Sequence, residues 1–186
     1  MKLETVGHAS LFGDHGPASR SGDVVFTPSW CAQDMVRYFS PSGRILEPCK
    51  GAGVFMKHLP PNTEWCEITE GRDFFAWDTP VDWIITNPPY RLIRAFLKHA
   101  LTVADNIVFL IPARNVFGSY GTLREYAPAW GGIAAIRWYG TGTTLGFPMG
   151  NAISAIHWKR GHFGSINETF YEDETNSVEA KSEVVG

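Results

Sequence analysis

Apolar residues recur along this chain in two rhythms. Short runs rich in apolar and β-favouring residues at RILEP (44–48), TEWCEI (63–68), VDWIIT (81–86), NIVFLIP (106–112), IAAIRWYG (133–140) and AISAIHWK (152–159) read as strands. Between them the spacing becomes helical. In FTPSWCAQDMVRYF (26–39), Cys31, Met35, Val36 and Phe39 share one face, Thr27 can cap, and Pro28 suits the first helical position. Leu92, Ile93, Phe96, Leu97, Ala100 and Leu101 repeat in the same way. GAGVFMKHL (51–59) is expected to turn into a helix that Pro60 and Pro61 end, and TLREYA (122–127) predicts a short one. Strands alternating with helices imply an α/β fold with a doubly wound, mostly parallel sheet. No helical pattern separates the last two runs, so an antiparallel edge is expected there.

Both ends lack periodicity. Residues 1–22 hold four Gly, two His and three Ser and read as a flexible N-terminal arm. Residues 168–186 read as an acidic, disordered tail, which leaves one domain over 23–167. The tail carries six acids (Glu168, Glu172, Asp173, Glu174, Glu179, Glu183) against Lys181, a net −5. The whole chain carries −3, so residues 1–167 carry +2. A mildly basic body permits a nucleic-acid partner without demanding one.

Composition narrows the class. With 186 residues, 44% hydrophobic and 13% aromatic, the chain can bury a substantial core. No stretch reaches the roughly 20 apolar residues of a membrane span. The opening MKLETVGHAS has no apolar run of the signal-peptide kind, and a cytoplasmic protein is expected. Cys31, Cys49 and Cys66 form no CxxC pair and the six His are scattered, so neither a disulfide framework nor a metal site is expected.

The chemistry gathers where strands should end. Open α/β sheets bind ligands beyond the carboxyl ends of their strands. That rule brings together Glu47-Pro48-Cys49-Lys50-Gly51-Ala52-Gly53, Glu67 and Asn87-Pro88-Pro89-Tyr90. Two glycines let the backbone approach a ligand closely. Glu67 lies 20 residues after Glu47, where an acid commonly accepts from ribose hydroxyls. An ordinary strand-to-helix turn also explains GAG. A dinucleotide oxidoreductase is less well supported, because Met56 stands where the third glycine of GxGxxG would be.

In order along the chain, VVFTP (24–28), ILEPCKGAGVF (45–55), EI (67–68), DFF (73–75), IITNPPY (84–90) and VFLIP (108–112) resemble the S-adenosylmethionine-dependent amino-methyltransferases. The narrower resemblance is to DNA N6-adenine methyltransferases whose cofactor motifs precede the catalytic one. FPMGNAISAIHWKRG (147–161) is similar to their terminal strand pair, and the small size to members from phages and mobile elements. Lys50 departs from the small residue many relatives carry there. The resemblance implies a seven-stranded Rossmann-like fold, S-adenosyl-L-methionine as cofactor and DNA as partner, with a homodimer possible. The residues after the last core strand are acidic and would repel phosphate, so base readout falls to short loops such as 113–122 or 139–151, and a short or relaxed target is expected. RNA adenine-N6 and protein-glutamine methyltransferases share NPPY and stay open as alternatives, as does a non-catalytic cofactor-binding protein.

The same resemblance implies residue roles. Asn87, Pro88, Pro89 and Tyr90 are the catalytic set. Asn87 and the Pro88 carbonyl accept the two amino protons, the prolines stiffen the corner, and Tyr90 stacks on a flipped base. Phe26, Thr27 and Pro28 meet the methionine end of the cofactor. Glu47, Pro48, Cys49, Gly51, Gly53 and Phe55 line its middle, Glu67 and Ile68 its ribose, and Asp73 with Phe74 its adenine, although core packing explains Phe74 equally well. Asn87 also borders the cofactor. Arg114, Asn115 and Arg91 are the nucleic-acid candidates, the last against the plain reading of a solvated helix face.

Overall fold

The runs read as strands form one sheet, and the two strongest helical patterns cover its faces. The computed structural model describes residues 27–117, 129–143 and 150–172. In chain order the elements are α1 (Ser29–Phe39), β1 (Ile45–Glu47), β2 (Glu64–Trp65), β3 (Val81–Thr86), α2 (Ile93–Val103), β4 (Ala104–Pro112), α3 (Arg114–Phe117), β5 (Gly131–Thr141), β6 (Ala152–Arg160) and β7 (Asn167–Phe170). The sheet has seven strands in the order β2-β1-β3-β4-β6-β5-β7. β2, β1, β3 and β4 run parallel. Among the described residues β6 is the one reversed strand, antiparallel to both β4 and β5, and β7 is again parallel to β5.

Alternation along the central strands decides which helix covers which face. Ile84 of β3 with Ile107, Phe109 and Ile111 of β4 packs under Ile93, Phe96, Leu97 and Ala100 of α2. Ile85, Val108 and Leu110 point the other way, against Cys31, Ala32, Met35 and Phe39 of α1. β3 and β4 are apolar on both faces because both faces are covered, the usual state of a parallel sheet.

Three expectations are corrected. GAGVFMKHL forms turns and a short 3-10 segment, Phe55–Lys57, rather than an α-helix. Pro60 and Pro61 follow too soon, and a few residues are too short a run to repay helix nucleation. Thr27 does not cap α1. Pro28 holds the N-cap position, with its carbonyl accepting from the N–H groups of Cys31 and Ala32 at 3.1 Å. The boundary expected at 167 falls inside the sheet, since β7 continues it through Phe170. TLREYA, the whole arm read over 1–22, and residues 173–186 of the tail lie outside the described residues.

A polar cluster fastens β7 and β5 to α1. Arg137 of β5 donates to both carboxylate oxygens of Asp34 at 2.7 and 2.9 Å, and Tyr139 Oη donates to Asp34 at 2.7 Å. Arg137 also donates to the Phe170 carbonyl of β7 and lies over the Tyr38 ring. Trp30 of α1 stacks on Tyr171 with ring centres 4.8 Å apart. Removing the guanidinium would leave Asp34 poorly solvated. Arg137→Met is therefore expected to lower unfolding stability by about 2–3 kcal/mol, read from the urea midpoint. A shift below about 0.5 kcal/mol would show the pair to be solvated and dispensable.

Candidate functional site

Because β1, β3 and β4 are parallel neighbours, their carboxyl ends open on one edge of the sheet, and the chain reverses there after each strand. The segments brought together are 48–54, 66–72, 87–92 and 113–117.

Glu47, the last residue of β1, is buried to 1% exposure. Its Oε1 accepts from Thr86 Oγ1 at 2.5 Å and from the Cys49 N–H at 3.1 Å. Its Oε2 is buried with no partner among the described residues. Burial pushes this carboxyl up to about 7, against the opposing pull of the Thr86 and Cys49 hydrogen bonds. Cys49 reaches across to the Asn87 corner: its sulfur lies 2.9 Å from Thr86 Oγ1 and donates to the Asn87 carbonyl at 3.3 Å. Burial, then the neighbouring Glu47, raise the thiol well above its usual range, so it stays a protonated donor. Thr86 is the residue that the sequence reading missed. Its signal was a hydroxyl closing an otherwise apolar strand.

Glu67 joins the second corner to the glycine turn. Its Oε2 accepts from the Gly51 N–H at 2.8 Å, and its Oε1 accepts from Thr69 N–H and Oγ1 at 3.1 and 2.7 Å. Burial works to raise this carboxyl, but the Thr69 and Gly51 hydrogen bonds and the charge of Lys50 hold it below the ordinary value. Gly51 has φ +50, and a Cβ built there meets nothing within 4 Å, so the turn borders open space. Lys50 does not intrude. It pairs with Glu70 at 2.6 Å and lies over Trp65, which Arg72 covers as well. Ile68, an apolar side chain 61% exposed, follows Glu67.

The third corner presents Asn87. Its Nδ2 donates to Thr27 Oγ1 at 3.0 Å, which fixes Oδ1 as the opposite, accepting end of the amide. The Asn87 carbonyl accepts from Cys49, and the Pro89 carbonyl from the Leu92 N–H at 2.8 Å. Between them, the Pro88 carbonyl accepts no hydrogen bond among the described residues. Pro88 is buried and Pro89 and Tyr90 half-buried. Tyr90 packs on the α2-side core, and burial raises its phenol above the ordinary range.

Other expected site residues are placed differently. Phe26 lies outside the described residues. Pro48 is buried in the turn after β1, and Phe55 is core on the α1 side. Phe74 is also core, packed on Phe96 and His99, so packing accounts for it. Its neighbour Phe75 is the ring that faces solvent, at 43% exposure. Asp73 accepts from the Phe75 N–H at 2.9 Å and caps the 3-10 segment Phe74–Ala76. Arg114 is exposed and Asn115 half-buried just past β4, and Arg91 is exposed just past the Asn87 corner. Among the described residues no three His, Cys, Asp or Glu are grouped to hold a metal ion, and no helix is long and apolar enough to cross a membrane.

This donor set fits an adenosine-bearing sulfonium cofactor. A carboxylate has about four acceptor positions, and Gly51 and Thr69 fill three on Glu67, leaving one for a ribose hydroxyl. The open Gly51 turn supplies an accessible stretch of backbone for the cofactor's middle, above the buried Glu47 carboxyl, and Ile68 an apolar surface.

No protein-family model matches the chain, and neither does any curated protein. Solved structures do. A class I S-adenosylmethionine-dependent methyltransferase of Listeria monocytogenes is similar over 82% of this chain and 67% of its own, with TM-score 0.56 and 13% identity. The methyltransferase subunit of a type I restriction-modification system of Streptococcus thermophilus is similar over 82% of this chain, with TM-score 0.60 and 15% identity. This chain spans about half of that subunit, 48%. An RNA methyltransferase of Pyrococcus horikoshii matches over 71% of this chain and 82% of its own, with TM-score 0.52 and 12% identity. The shared feature is the fold, the mostly parallel seven-stranded sheet of class I methyltransferases.

The raised Glu47 carboxyl gives a signed expectation. A group whose folded value of about 7 exceeds its ordinary 4.5 takes up a proton on folding. Its contribution is complete below pH 4.5 and is lost as the pH rises through 7. Glu47→Gln, which keeps an accepting oxygen for Thr86, is expected to gain stability over the native chain across that window, by up to about 3 kcal/mol. Urea unfolding of both proteins from acid to mildly alkaline pH measures the difference. A gap that does not change with pH would mean that folding does not shift the Glu47 carboxyl.

Proposed function

We propose that this chain transfers a methyl group from S-adenosyl-L-methionine to the exocyclic N6 of adenine in DNA. The observation that carries this reading is the Asn87 corner. A side-chain amide held by Thr27 stands beside a proline carbonyl with no hydrogen bond among the described residues, next to the Gly51–Glu67 turn. The adenine amino group is a poor nucleophile because its lone pair is delocalised into the ring. Two carbonyl acceptors on its two protons favour a tetrahedral nitrogen and return the lone pair to it. Fixed dipoles of this kind need no reorganisation during reaction. The nitrogen then forms a bond to the methyl carbon and releases one proton to solvent.

When bound, the cofactor supplies an electrophilic methyl group on sulfur, which leaves with the bonding electron pair as a neutral thioether. The residues that would hold it are Glu67 through one ribose hydroxyl, Ile68 and Phe75 through apolar contact with the adenine, and the 47–53 turn along its middle. Tyr90, half-buried and stiffened by Pro88 and Pro89, would stack on a base removed from its helix. Extrusion of that base costs a few kcal/mol. Arg114, Asn115 and Arg91 sit at the same edge and would meet phosphate or base edges. The likeness to a restriction-modification methyltransferase subunit supports DNA as acceptor. The likeness to an RNA methyltransferase makes RNA the second arm of the test.

Labelled S-adenosylmethionine incubated with duplex DNA, single-stranded DNA, RNA or protein, followed by digestion and nucleoside or residue identification, tests the reading. The expected product is N6-methyladenine in DNA. Label found only in RNA or protein would overturn the acceptor, and label nowhere would overturn the enzyme. Asn87→Ala is expected to lower transfer about a hundredfold or more while cofactor affinity by calorimetry stays within about threefold. Substantial residual turnover would remove Asn87 from the chemistry. Glu67→Ala should do the reverse, weakening the cofactor by about 1–3 kcal/mol. Unchanged affinity in a folded variant would remove Glu67 from the cofactor site.

A further inference from the structure

Thr27 sits where a helix cap is expected, yet its hydroxyl faces away from the helix. α1 is fixed on the sheet by Cys31, Ala32, Met35 and Phe39, and its first turn is capped by the Pro28 carbonyl. Pro28 also restricts the residue before it to extended backbone. The packing of α1 thus delivers Thr27 to the end of β3, where Oγ1 accepts from Asn87 Nδ2 at 3.0 Å across 60 residues of sequence.

We infer that Thr27 is a positioning residue for methyl transfer, which selects the orientation of the Asn87 amide that presents its carbonyl to the substrate. This rests on the adenine-methylating reading above. The two ends of a carboxamide have nearly the same shape and opposite hydrogen-bonding character, one accepting and one donating twice. Turned by half a revolution, Asn87 would aim N–H donors at the donors of the adenine amino group, and the lone pair would gain nothing. Packing alone cannot choose between the two orientations. A hydrogen-bond acceptor on the NH2 side can, and among the described residues Thr27 Oγ1 is the acceptor recorded there. The hydroxyl keeps its own proton to donate, so Thr27 can also touch the cofactor. The two roles separate in kinetics, because orientation acts on turnover and cofactor contact acts on affinity.

Thr27→Val keeps the branched shape and deletes the acceptor, whereas Thr27→Ser keeps the acceptor and deletes a methyl group. Single-turnover methylation of an adenine-containing duplex at saturating cofactor and DNA is the readout, with the cofactor Kd measured on the same preparations and circular dichroism confirming the fold. Thr27→Val is expected to lose about tenfold in turnover, the worth of one hydrogen bond, with Thr27→Ser restoring it to within about threefold. Turnover of the valine variant within threefold of the native chain would overturn the positioning role, whatever the cofactor Kd. A serine variant as slow as the valine one would also overturn it, because methyl packing would then be the cause. If the native chain itself does not methylate adenine, the underlying reading fails. If the native chain methylates and the valine variant keeps pace, only the role of Thr27 fails.

Discussion

A hydrogen bond inside the sheet holds this site together. Thr86 donates to Glu47 between the ends of two adjacent parallel strands, in a place water does not reach. An unpaired buried carboxyl would be costly, so the bond constrains where both strands may stop. Since β1 stops at Glu47 and β3 at Thr86, the glycine turn and the Asn87 corner must start side by side. Cys49 repeats the constraint one step further out, resting its sulfur against Thr86 and donating to the Asn87 carbonyl.

The remaining architecture serves to keep those strand ends still. β3 and β4 are apolar on both faces, and α1 and α2 cover them from opposite sides. α1 does more than pack, since its N-terminal end brings Thr27 to Asn87. Its other attachments are polar: Asp34 takes Arg137 and Tyr139 of β5, which ties the helix to the far half of the sheet. The described residues thus link the far edge strand β7 to the Asn87 corner through one helix.

Much of this was legible because burial on two faces leaves an unambiguous mark. VDWIIT and NIVFLIP are mostly apolar runs and became β3 and β4, and the spacing of Ile93, Phe96, Leu97 and Ala100 became the buried stripe of α2. The glycine turn and NPPY lay at the expected strand ends. What failed had local look-alikes. A threonine before a proline reads as a cap whether its hydroxyl turns to the helix or to Asn87. Two adjacent phenylalanines do not say which is core, and Phe74 took the inside while Phe75 took the surface. β7 escaped because NETF is short and polar, and it is held by a partner, Arg137, far away in sequence. Thr86 escaped because its role depends on a buried carboxylate that is its neighbour only in the folded sheet.

The central claim is that the Asn87 amide and the Pro88 carbonyl form a two-acceptor site for an adenine amino group. The most direct measurement is a crystal structure of the protein with the demethylated cofactor and an adenine-containing oligonucleotide. The expected result is the N6 nitrogen within about 3 Å of both Asn87 Oδ1 and the Pro88 oxygen, with Asn87 Nδ2 still on Thr27 and the adenine against Tyr90. An adenine amino group bound elsewhere, or one facing the Asn87 NH2, would contradict the account.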